Sequence, residues 1–118
     1  RFEVEDTRGV LRTAQDADAG ELVYVHHEAV PAAIYYRDYH PDSLAFRQKE
    51  MYLSHWDETP DTLRHQDYAS FWTVYSHLIN AHTREEMQEQ VEKLNNWAGR
   101  RAEESATGAR ALRWAKKE

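Results

Sequence analysis

The hydrophobic period of the chain changes near residue 42, and that change constrains the fold more than any other feature of the sequence. Before it, "FEVED" alternates Phe2 and Val4 with acidic residues, "TRG" supplies a turn, and "VLRTA" follows. "QDADAG" is a polar loop ending at Gly20, after which "ELVYVHHEAV" is rich in β-branched and aromatic residues. Beyond Pro31, "AAIYYRDY" reads as strand or as helix. Short β-prone runs divided by turn residues predict an antiparallel meander of three to four strands over residues 1–40.

From residue 42 the period is about 3.6 residues. "SLAFRQKEMYLSHW" sets Phe46, Leu53 and Trp56 on one side of a predicted helix that Asp42 can cap. Thr59 followed by Pro60 and Asp61 is a helix start signal. The run "LRHQDYASFWTVYSHLINA" then places Tyr68, Phe71, Trp72, Tyr75, Leu78 and Ile79 at helical spacing, which predicts the core helix. Thr83 and Glu86 fit a capping box, Met87, Val91, Leu94 and Ala98 form a stripe, and Gly99 is the predicted C-cap. A short basic helix over "ARALRWAKK" closes the chain. The predicted fold is therefore α+β: one domain over 1–118, mainly β over 1–40, then three to four packed helices over 42–118.

Composition excludes several function classes. Cysteine is absent, so there are no disulfides, thiolate metal sites or cysteine nucleophiles, and a reducing cytoplasm is the expected location. No apolar run approaches the length of a membrane span, and no membrane partner is expected. Arg1 in place of Met leaves room for an upstream segment. The net charge of −6 is uneven: residues 1–99 carry nine Lys/Arg against eighteen Asp/Glu, residues 100–118 six against three. An acidic body repels phosphate backbones, so nucleic acid could be met only through the basic C-terminal helix.

Individual motifs give little chemistry. His40-Pro41-Asp42 is the tripeptide of J-domain co-chaperones, but Pro31 interrupts the helix that should precede it, and Phe46 follows with almost no loop. It reads as a helix start. Asp16 and Asp18 open an acidic loop, yet Glu21 and His27 stand where a calcium loop needs glycine and glutamate. Among seven histidines, His26 and His27 on a strand would point to opposite faces, and His82 precedes the predicted cap, out of line with Glu86. No metal site, cofactor or catalytic residue is therefore predicted. Aromatic richness favours a partner surface. The predicted function is a non-enzymatic interaction or regulatory module, acting on another protein or on itself through Met87, Val91, Leu94, Trp97, Arg101 and Trp114. The alternative is a small metal-dependent or His/Glu-based hydrolase using His26-His27-Glu28.

Overall fold

The computed structural model describes residues 22–31, 33–34, 51–106 and 108–117. The predicted strands over 2–14, the tripeptide at 40–42 and the start of the helix expected from 42 lie outside these residues. Among the described residues, five strands form one mixed sheet: β1 (Leu22–Val25), β2 (Met51–Leu53), β3 (Ser70–Tyr75), β4 (Ala98–Ala106) and β5 (Ala109–Lys116). Their spatial order is β2-β1-β3-β5-β4. β1 runs parallel to both β2 and β3, while β5 is antiparallel to β3 and to β4.

Parallel neighbours cannot be joined by a hairpin, so the chain must cross a sheet face twice. The first crossover leaves β1 through a 3-10 turn (His27–Ala29), and Val30, Pro31, Ala33 and Ile34 are helical. Ala29, Val30 and Ala33 pack with Val23, Val25, Trp72 and Val74 on one face of the sheet. The second runs from β2 to β3 through a 3-10 helix (Pro60–His65), whose Leu63 packs on the opposite face. Helix α1 (Ala81–Leu94) covers that same face with Met87 and Leu94, against Tyr24, Phe71, Tyr75 and Trp114. The result is a helix–sheet–helix sandwich, and no helix among the described residues is long and apolar enough to cross a membrane.

This architecture corrects the expected meander followed by three to four helices. Among the described residues one α-helix, α1, is seen from end to end. Residues 70–75, expected as the core helix, are the central strand β3. A strand covered on both faces is apolar at almost every position, and a continuous apolar run satisfies a 3.6 period as readily as a period of two. Met51–Leu53, expected within a helix, is the parallel strand β2, and Trp56 is 80 % exposed rather than in a helical stripe. The expected terminal helix is β5, whose Leu112 and Trp114 face one side of the sheet and Ala109 and Ala111 the other. Gly99 lies in β4, and α1 ends at Asn95.

The N-terminus of α1 is also displaced from expectation. Asn80, not Thr83, is the cap, and its Oδ1 accepts from the backbone N–H groups of His82 (2.9 Å) and Thr83 (3.2 Å). An Asx side chain reaches these two orphan donors without a longer neighbour's help. Asn80→Ala is expected to lower stability by about 1 kcal/mol in urea denaturation, with an unchanged slope. Trp114 is fully buried and donates Nε1–H to Thr73 Oγ1 at 3.0 Å. Trp114→Ala is expected to cost about 3–5 kcal/mol by the same measurement, through cavity formation and the stranded hydroxyl.

Candidate metal centre

Where β1 ends, its side-chain alternation ends with it. His26 still extends the ladder, its N–H donating to Val74 O at 2.9 Å, but its φ/ψ of −57°/145° turns the chain into the 3-10 turn. Ala29 N–H closes that turn on His26 O at 2.8 Å. Consecutive histidines therefore do not diverge as they would on a strand: their rings lie 4.1 Å apart, tilted by 39°. The expectation that they could not meet one partner is corrected by this turn.

Their meeting point is Glu86 on α1. His26 Nε2 lies 3.2 Å from Glu86 Oε2, and His27 Nε2 lies 3.6 Å from the same oxygen. The other oxygen, Oε1, is 2.9 Å from His82 Nε2. This last contact exists because Asn80 caps the helix and so brings His82 inside the first turn, at i, i+4 from Glu86. The expectation that His82 precedes the helix, out of line with Glu86, is corrected by this cap. Glu28 completes the group, with Oε1 3.5 Å from His27 Nε2.

Burial grades the three imidazoles: His26 is 1 % exposed, His27 18 % and His82 80 % at the side chain. His26 Nδ1 accepts from the Glu28 backbone N–H at 3.3 Å, so its proton sits on Nε2 and is donated to Glu86. Loss of hydration by burial, then the neighbouring His27, pulls the His26 pKa below its ordinary value, and Glu86 opposes that shift without reversing it. His26 is thus a neutral imidazole at physiological pH. His27 Nδ1 is buried with no hydrogen-bond partner.

Three side chains, His26, His27 and Glu86, each bring a ligand atom into a group whose members lie within 4.8 Å of one another. Ligands at about 2.0–2.2 Å from a tetrahedral zinc ion stand about 3.4 Å apart. The two His-to-carboxylate separations bracket that spacing. Position in the fold reinforces the geometry. The chain leaves β1 toward β2 on one side, and leaves β3 through α1 toward β4 on the other, so the cluster lies at the carboxyl ends of strands where the topology reverses direction. Open α/β sheets bind ligands there.

The residues predicted for a partner surface are placed elsewhere. Trp114, Leu94 and Met87 are buried in the core, and Trp97 is 7 % exposed with its Nε1 donating to Asp61 Oδ1 at 3.0 Å. Expected at the surface, both tryptophans are interior because residues 98–106 and 109–116 are strands rather than exposed helix. Val91 is half-buried, and with Met87, Arg100 and Arg110 lines a cavity of about 270 Å³. Arg101 is exposed on β4. A larger cavity of about 390 Å³, lined by Leu22, Met51, Tyr52 and Leu63, begins at the amino ends of β1 and β2, away from the histidines.

Sequence reasoning singled out His26 and His27 but missed Glu86 and His82. The usable signal was Asn80, a stronger cap than Thr83 and three residues earlier; moving the helix start to it aligns His82 with Glu86. One consequence is measurable in solution. A group whose pKa is lowered by folding contributes stability above its unfolded value, about 6.5, and that stability is lost as pH falls toward the folded value. Thermal melts at pH 7.5 and 5.5 are therefore expected to show a larger drop in midpoint for the wild type than for His26→Gln, which cannot titrate. Equal drops would mean that His26 is not held neutral.

No protein-family model, curated protein or solved structure matches this chain, so the reading of the cluster rests on its own geometry.

Proposed function

We propose that the protein binds one divalent transition-metal ion, zinc in the first instance, between His26 Nε2, His27 Nε2 and one oxygen of Glu86, and uses it in hydrolysis. The observation that carries this reading is the convergence of two imidazole nitrogens on a single carboxylate oxygen, at 3.2 and 3.6 Å. Two histidines and a glutamate with a fourth position open to water form a catalytic donor set, whereas structural zinc sites fill all four positions. When bound, the ion would supply Lewis acidity and lower the pKa of its water to about 7.

The surrounding residues take distinct parts. His82, on the second carboxylate oxygen, holds Glu86 in position and leaves one oxygen to the ion. Glu28, 43 % exposed and beside His27, is the carboxylate placed to accept a proton from attacking water. His26 must move its proton from Nε2 to Nδ1 to become a ligand, giving up the long bond from Glu28 N–H. That commitment of both His26 nitrogens favours a second reading, in which Glu86 and His26 orient His27 as a metal-free general base. Lack of cysteine agrees with a cytoplasmic setting for either chemistry.

Metal content separates the two readings. Protein stripped with chelator, incubated with zinc and passed through a desalting column is expected to retain one zinc per chain by elemental analysis, and Glu86→Gln or His27→Ala to retain none. Zinc at 100 times its Kd should add about 2.7 kcal/mol, raising Tm by roughly 10 °C. A protein that retains no zinc, and whose Tm does not move with zinc, manganese or ferrous ion, overturns the metal reading and leaves the His/Glu base.

A further inference from the structure

The margin of the sheet carries a second feature, unrelated to the histidine cluster. Strand β4 pairs with β5 on one side only; among the described residues nothing pairs with its other edge. Residues 100–105 are exposed, although the strand runs for nine residues. An open edge of this length is a template for another strand. Charges normally guard such an edge, but here their order matters: Arg100-Arg101-Ala102-Glu103-Glu104 reads two positive, one neutral, two negative. Reversed in direction, that string is its own complement. A parallel copy would set Arg against Arg and Glu against Glu, whereas an antiparallel copy can set Arg against Glu.

A β-bulge decides the register. Arg100 is opposite Trp114 and Ala102 is opposite Arg113, so Arg101 is the additional residue. Without it, Arg100 and Glu103, three apart, would lie on opposite faces of the sheet. With it, Arg100 and Glu103 share a face, as their 3.5 Å contact records, with Arg100 over the Trp114 ring at 5.5 Å. A two-fold axis between Arg101 and Ala102 therefore brings Arg100 of one copy directly opposite Glu103 of the other, on that shared face. In the same register Arg101 stands opposite Ala102 of the other copy and Glu104 opposite Gly99, so no like charges face each other there. The small Ala102 side chain beside the axis leaves room for close approach of the backbones.

From this we infer that β4 is a homodimerisation edge: two copies join antiparallel through β4, their sheets merging into one, with Arg100 of each chain against Glu103 of the other. The contact is isologous and closes on itself, so it yields dimers and not fibres. Backbone hydrogen bonds supply the affinity and the charge order supplies the direction.

Sedimentation equilibrium of the full chain tests this. Two variants are needed: Arg100→Glu/Arg101→Glu, whose edge is wholly acidic, and Glu103→Arg/Glu104→Arg, whose edge is wholly basic. The wild type is expected to sediment as twice 13.9 kDa at low salt, and each variant alone as 13.9 kDa. Mixed one to one, the variants are expected to recover the doubled mass, and 1 M salt to weaken both complexes. Recovery on mixing also shows that both variants are folded at this edge. Wild type that stays monomeric up to about 1 mM overturns the inference, as does a dimer that survives in both variants alone or a mixture that does not associate.

Discussion

Everything distinctive in this molecule follows from one strand being parallel to both of its neighbours. β1 pairs with β3 from Leu22↔Phe71 to Val25↔Val74 and with β2 from Val23↔Met51 to Val25↔Leu53. Parallel pairing forbids short turns, so structure must be laid over both faces of the sheet. The two crossovers travel in opposite directions on opposite faces, which keeps both of the same hand. The β3–β5–β4 side, built from antiparallel neighbours, is free of this demand, and there β4 extends into solvent.

The same pairing creates the candidate centre. With β1 locked between its neighbours, Val25 O receives both Ser54 N–H (3.1 Å) and Ser54 Oγ–H (2.7 Å) from the end of β2, while His26 N–H binds the end of β3. The first residue released from the sheet is thus held from both sides before the turn begins. Its imidazole is directed toward Tyr75 and α1, with ring centroids of His26 and Tyr75 5.4 Å apart. On the other element, Asn80 fixes where α1 starts, and therefore which turn presents Glu86. Register of the sheet and phase of the helix are set independently, and their agreement on one carboxylate is what makes the cluster informative. A solvated charge pair would need neither.

How far the sequence discloses this can be argued element by element. The run Leu22–Val25 is legible as a strand from its β-branched and aromatic content, and its end from His26-His27-Glu28 and Pro31. β3 is not legible from period alone, because burial on both faces removes the polar positions that mark a strand; the five consecutive aromatic, β-branched or valine-like residues from Phe71 to Tyr75 were the better guide. β5 misled for the opposite reason: Arg110 and Arg113 interrupt it at a spacing of three, which imitates a helix, while the bulge and hairpin that fix its pairing have weak local signatures. Of the centre, His26 and His27 stand out as adjacent ligand-type residues. Their convergence with Glu86, sixty residues from His26, is a property of topology and has no local trace.

The form of the site bears on what it can act upon. The two cavities described, of about 390 and 270 Å³, are lined by residues other than His26, His27 and Glu86. An enzyme that encloses an organic substrate needs concave apolar walls to supply binding energy. The proposed centre is instead graded from a fully buried His26 to a solvent-facing His82. Such a gradient suits a small ion, which gains its affinity from two or three coordinate bonds and needs little enclosed volume. Burial also holds His26 neutral, so in the proposed site a cation would have only to shift a proton between its two nitrogens and would not have to displace one from a charged imidazolium. Any organic substrate would then be held chiefly by the ion and by the exposed rim, with selectivity set by charge more than by shape.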